Sequence, residues 1–132
     1  MSDNPDGQDH AIVVVVAAHG SRADPANAAH REVVEELAAA VSSPVAPAFL
    51  ELAEPSIPEA IDTAVADGAA TVLVLPYFLH PGRHLTEDLP AIVADANERH
   101  PQVEVALLGS FGAEVGVGDV LVAQVAAALD GT

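Results

Sequence analysis

The chain has 132 residues, enough for one domain with a normal core. Its 20 Asp and Glu stand against only four Arg and no Lys. The resulting net charge of −16 implies solubility and argues against nucleic acid or an anionic membrane as a partner. Cysteine is absent, which excludes disulfides, thiolate metal sites, iron–sulfur ligation and a Cys nucleophile, so any metal must be held by His and carboxylates.

Residues 1–10 are polar and acidic, with neither a basic region nor a signal-type apolar segment after them. They read as a flexible tail on a cytoplasmic protein, with residues 11–132 forming a single α/β domain. The longest apolar run is far short of a membrane span. Residues 12–18 form a Val-rich run that predicts a strand buried on both faces. Asp24-Pro25 predicts an N-cap followed by Pro at the first helical position. The helix it opens runs to about Val41, with Val33, Val34, Leu37 and Val41 on one face. Residues 45–50 predict a second strand, which Pro44 and Pro47 place at a sheet edge. Ser56-Ile57-Pro58-Glu59 reads as a capping box opening a second helix, with Gly68 near its end. A third strand covers 71–75, and a third helix runs from about Thr86 to Arg99. A fourth strand covers 103–108, and Asp119 is expected to cap a last helix ending near Leu129. The order βαβαβαβα implies a doubly wound four-stranded parallel sheet with right-handed crossovers and helices on both faces.

In such sheets the chemistry collects beyond the carboxyl ends of the strands. Two histidine-bearing segments sit there. Strand one runs into His19-Gly20-Ser21-Arg22, and strand three runs into Pro76-Tyr77-Phe78-Leu79-His80-Pro81-Gly82-Arg83-His84. His is the commonest metal ligand and titrates near neutral pH, so His19 and His84 are candidate ligands or bases. His80 is weighed equally between a site role and plain exposure. Pro81 and Gly82 keep it off any regular helix with His84. A carboxylate of Thr86-Glu87-Asp88 can orient the His84 ring. Glu51 ends strand two and can take a proton or meet a hydrated cation, while Glu54 reads as solvated charge. Arg22 and Arg83 lie inside the histidine segments, which suggests local recognition of carboxylate or phosphate. The four aromatics, Phe49, Tyr77, Phe78 and Phe111, all fall at strand ends. They either wall a flat apolar ligand or plug the end of the sheet. His10, His30 and His100 are assigned to the tail and to helix surfaces. The glycine-rich stretch from Gly109 to Gly118 matches no phosphate-binding fingerprint and reads as a loop.

Three segments together resemble the small CbiX-type sirohydrochlorin chelatases, of the ATP-independent class II. They are His19-Gly20-Ser21-Arg22, the run from Phe49 to Ile57, and Leu75-Pro76-Tyr77-Phe78-Leu79 with Gly82-Arg83-His84-Leu85-Thr86-Glu87-Asp88-Leu89-Pro90. The resemblance covers about residues 12–108 and fades after Leu108. It implies insertion of a divalent metal, cobalt or iron with nickel possible, into sirohydrochlorin in cobalamin or siroheme biosynthesis. The metal is then a substrate and no cofactor is permanently bound. His19 and His84 become the functional pair and metal ligands, with Glu51 as a further base. Ser21, Arg22, Tyr77, Phe78 and Arg83 become candidate substrate contacts, and His80, outside the family's pattern, is a further candidate. The resemblance also implies a homodimer and a flavodoxin-like strand order 2-1-3-4, which makes strands one and three neighbours.

Two rivals remain open at this point. A tetrapyrrole or metal carrier would bind the macrocycle without inserting metal. A histidine phosphatase also has a strand followed by His-Gly, but its chemistry wants Arg immediately before the His, and Ala18 stands there.

Overall fold

A computed structural model of the chain describes residues 11–114 and 116–131. The expected tail, residues 1–10 with His10, lies outside the described residues. Ten elements follow in order: β1 (Ile12–Ala18), α1 (Asp24–Ala40), β2 (Val45–Phe49), α2 (Ile57–Ala66), β3 (Thr71–Pro76), a π-helical turn (His84–Asp88), α3 (Leu89–Arg99), β4 (Glu104–Leu107), a 3₁₀ turn (Phe111–Ala113) and α4 (Gly116–Asp130). All strand pairs are parallel and the order is β2-β1-β3-β4, the expected doubly wound arrangement.

Alternation along the strands splits the side chains between two faces. Val13, Val15 and Ala17 of β1, Val72 and Val74 of β3 and Val105 of β4 point one way. They form the main core with Ile57, Ile61, Leu89 and Val93 from α2 and α3. Helix α1 lies on the opposite face over β1 and β2, where Val16 and Val34 are buried. β2 is an edge strand, and Pro47 costs it no ladder bond. Leu50 N–H donates to Ala18 O, so by parity the inward N–H groups are those of even-numbered residues, and position 47 faces the free edge.

The capping box is present in full: Glu59 N–H donates to Ser56 Oγ, and Ser56 N–H donates to the Glu59 carboxylate. Several local expectations are corrected. Asp24 does not cap α1. Ala23 is the N-cap, with no side-chain cap bond, and Asp24 is the first helical residue, where its charge still favours the helix N-terminus. Asp119 likewise sits in the first turn of α4, inside a helix that begins at Gly116. The buried stripe of α1 is Asn27, His30 and Val34, while Val33 and Val41 are exposed. His30 is therefore an interior residue and not a surface one. The helix is rotated about one position from the face that its valines suggest, because His30 finds a backbone acceptor on β1.

Candidate metal centre

His19, Glu51 and His84 converge at the carboxyl edge of the sheet. One ligand atom from each lies within 4.8 Å of the others, the only such trio of metal-capable groups among the described residues. His19 follows β1 directly, Glu51 follows β2, and His84 opens the π-helical turn after β3. The two imidazole rings meet edge to face, with centroids 4.8 Å apart.

Hydrogen bonds fix which nitrogens are free. His19 Nδ1 donates to Gly20 O at 3.1 Å, so its Nε2 carries the lone pair, and that Nε2 faces Glu51 Oε2 at 3.4 Å. His84 Nδ1 donates to Asp88 Oδ2 at 2.7 Å, which leaves its Nε2 free as well. Two bare imidazole nitrogens beside a carboxylate are three acceptors without a donor. Such a set can hold a metal ion between its members. All three side chains are about half exposed, so the centre opens to solvent.

The local backbone explains the convergence. Glu51 N–H donates to His19 O at 3.1 Å, tying the two strand exits together. Gly20 sits at φ +94, and a Cβ there would lie 1.8 Å from Glu51 O, so this crossing admits only glycine. On the other side, Leu89 N–H reaches back five residues to His84 O. Pro90 has no N–H and its ring would crowd the carbonyl of Thr86 in a regular helix, so the widened turn relieves it. That turn sets His84 against Asp88.

The remaining candidates are placed as follows. Ser21 is structural: its Oγ accepts from Ala23 N–H, and its backbone is gripped by Asn27 on both sides, at 3.0 and 2.8 Å. A cavity of about 340 Å³ beside His19 is lined by Ser21, Asn27, His30, Phe49 and Tyr77 among others. Tyr77 is partly exposed and packs edge to face on Phe111, centroids 5.1 Å apart. Phe78 packs instead against the core of α2 and α3, and Phe49 is fully buried. The aromatic set is thus divided between one exposed pair and two packing residues. His80 is exposed and stands outside the trio. Arg83 points to Glu87 at 3.9 Å in an exposed pair. Arg31 and Arg99 are also engaged, with Glu54 O and with Asp62 and Asp95. Arg22 is the one guanidinium with no partner among the described residues.

Sequence reasoning passed over Asn27 and assigned His30 to a helix surface. His30 Nε2 donates to Val16 O at 3.0 Å, and its ring lies between Phe49 and Tyr77. Burial pushes its pKa down, and its Nδ1 has no partner among the described residues. The available signal was the spacing 27-30-34, which places two polar residues on the buried stripe of α1.

The sequence matches the CbiX family model over residues 13–128. The chain belongs to the CbiX family. It is 36% identical over 100 residues to the chloroplastic sirohydrochlorin ferrochelatase of Arabidopsis thaliana, covering 75% of this chain and 44% of that protein. A crystal structure of a cobalamin-biosynthesis CbiX protein from Marinobacter aquaeolei superposes with a TM-score of 0.80 at 27% identity, covering 92% of this chain and 99% of that one. The sirohydrochlorin chelatase SirB of Bacillus subtilis subspecies spizizenii, solved with cobalt, gives a TM-score of 0.68 at 32% identity, covering 73% of this chain and 42% of that one. This CbiX-family chain spans less than half the length of the plant and Bacillus relatives. No helix among the described residues is long and apolar enough to cross a membrane.

Proposed function

We propose that this chain is an ATP-independent sirohydrochlorin chelatase, inserting Co²⁺ or Fe²⁺ into the macrocycle in the cytoplasm. The observation that carries the reading is the donorless trio of His19, Glu51 and His84. Three ligands that leave coordination positions open hold a divalent ion without enclosing it. The ion is a substrate here, and it must leave. His19 and His84 are its ligands. Glu51, 3.4 Å from His19, shares the positive charge and accepts a proton as the pyrrole nitrogens lose theirs. Tyr77 and Phe111 offer the exposed aromatic wall, and Arg22 is the available clamp for a substrate carboxylate. Ser21, Phe78 and Arg83 are supporting residues in this assignment, and His80 lies outside it.

A cavity of about 340 Å³ cannot enclose a tetrapyrrole. The second wall comes from a second copy of the chain, so the working form is a homodimer. The test follows the absorbance of sirohydrochlorin with Co²⁺, Fe²⁺ and Ni²⁺ in turn. A protein-dependent spectral change is expected with cobalt or iron, and it should be lost in folded His19→Ala and His84→Ala. Binding of the macrocycle without any metal-dependent change would make the protein a carrier. Near wild-type turnover in either folded variant would remove the trio from the reaction.

A further inference from the structure

The loop after β2 holds an apolar side chain out in solvent on a strained backbone. Leu52 follows Glu51 of the metal trio, is 52% exposed and has φ +68. In that left-handed region a Cβ crowds the following carbonyl, and Gly or Asn is the residue that fits at little cost. The turn around it is pinned at both ends. Glu51 N–H donates to His19 O at 3.1 Å on one side of Leu52. On the other side, Phe49 N–H donates to Pro55 O at 2.9 Å and the Arg31 guanidinium donates to Glu54 O at 3.0 Å, with its central carbon 5.0 Å from the centre of the Phe49 ring. Leu52 is thus fixed in place without belonging to the core.

The exposed apolar groups among the described residues are not spread evenly. Outside α4 eight large ones are exposed, and five of them, Leu52, Tyr77, Leu79, Leu108 and Phe111, follow the carboxyl ends of strands. Tyr77, Leu79, Leu108 and Phe111 lie past β3 and β4, and Leu52 alone lies past β2. His19, at the end of the central β1, therefore has four apolar groups toward one side of the sheet and Leu52 toward the other. β2 and β3 stand two strand spacings apart, roughly 9–10 Å. A flat macrocycle centred on an ion held by the trio overhangs both sides, and on the β2 side the exposed apolar group that it meets is Leu52.

We infer that Leu52 is an apolar contact for the macrocycle, set beside Glu51 to hold the ring over the ion. The inference rests on the chelatase reading above and adds a residue to it. Because Glu51 and Leu52 are adjacent, one pinned turn presents a ligand to the metal and an apolar surface to the ring that receives it. In a chain of net charge −16 an uncharged group at this rim adds no repulsion toward a polycarboxylate. Covering it with the face of the ring removes from water the apolar area that the fold leaves exposed. Leu52 has no metal ligand atom and no proton to give. It sets where the macrocycle lies, so its effect belongs to substrate affinity and not to the chemical step.

Three variants of the full chain separate this role from a structural one. Leu52→Gly and Leu52→Asn fit the left-handed backbone and remove the apolar group, whereas Leu52→Met keeps it. Fluorescence titration with metal-free sirohydrochlorin should show about tenfold weaker binding for the Gly and Asn variants and near wild-type binding for Met. The Michaelis constant for insertion should split the same way, with turnover little changed. Neither Co²⁺ affinity by calorimetry nor the thermal midpoint should fall in the Gly and Asn variants, since the ligands are untouched and the strain is relieved. Wild-type affinity for the macrocycle in both folded variants overturns the contact and leaves the chelatase reading standing. A loss of thermal midpoint, of Co²⁺ affinity or of self-association in step with the macrocycle would assign Leu52 to the fold, to the setting of Glu51 or to a subunit contact, and each overturns the inference. A wild-type chain that does not bind sirohydrochlorin overturns both readings.

Discussion

The bond from His84 to Asp88 gives a sharp quantitative test of the metal centre. Asp88 does not belong to the ligand trio. It takes the Nδ1 proton of His84 at 2.7 Å and so points the Nε2 lone pair at the site. Removing such a partner commonly costs 10- to 100-fold in metal affinity. Both side chains are about two-fifths exposed, and solvent screens the charge, which places the expected loss near the lower end. Asp88→Ala should therefore weaken Co²⁺ binding about tenfold, equivalent to about 1.4 kcal/mol. Asp88→Asn keeps an acceptor but loses the charge. A charge-assisted bond is roughly twice as strong as a neutral one, so Asn should cost about half as much free energy, or roughly threefold. Calorimetric titration of the metal-free protein with Co²⁺ reads both values without any macrocycle present. In a His84→Ala background the same changes should add almost nothing, because Asp88 acts only through that ring. Wild-type affinity in Asp88→Ala, or an equal further loss in the His84→Ala background, would refute this positioning role.

Burial pushes the His30 pKa down, which links stability to pH. Unfolded His30 takes a proton near its ordinary value of about 6.5, and folded His30 only at lower pH. Stability is then fully present above about 6.5 and falls as pH drops below it, since the unfolded state binds more protons there. Denaturant midpoints between pH 5 and 7.5 should show this slope, and His30→Gln should flatten it. Gly20→Ala must move either its own left-handed backbone or Glu51 O, and should lower stability by about 1–3 kcal/mol, several degrees in a thermal melt, with loss of Co²⁺ binding. Arg22→Ala should raise the Michaelis constant for sirohydrochlorin several-fold with little change in turnover, whereas Arg83→Ala, already paired with Glu87, should change neither.

The sheet was legible because each strand announces itself as an apolar run and each crossover as a helix with a stop signal. The order β2-β1-β3-β4 came from resemblance, and Pro47 alone would have fixed only the edge. His19 and His84 were legible from their place after strands. What the sequence could not supply was side-chain direction. Phe78 and Tyr77 are neighbours, yet one packs on the core of α2 and α3 and the other faces the cavity, because adjacent residues leaving a strand point to opposite sides. His30 was misassigned because a polar residue on a helix reads as surface, and its acceptor, Val16 O, is 14 positions away in the chain. Asp88 was one of two acidic candidates for orienting His84. Only the widened turn ahead of Pro90 decides for it and leaves Glu87 with Arg83.

The openness of the centre follows from the reaction proposed for it. A site meant to keep its metal is closed by a fourth ligand and shielded from water. Here His19, Glu51 and His84 supply three ligands and all stay near half exposure. The same lone pairs have a second use. With no metal between them, His19 Nε2 and the Glu51 carboxylate face each other at 3.4 Å without a protein donor. When the ion passes to the macrocycle, two pyrrole protons must leave, and the atoms just vacated by the metal are the bases nearest to them. One divalent ion goes out and two protons come back, so the local charge is the same before and after. In a chain of net charge −16, that balance matters, because a bare cluster of acceptors would otherwise add to the repulsion that a polycarboxylate substrate already meets. Glu51→Gln, which keeps the shape of the side chain but removes its charge, should therefore weaken Co²⁺ binding in calorimetric titration of the metal-free protein. Unchanged Co²⁺ affinity in that folded variant would remove Glu51 from the centre.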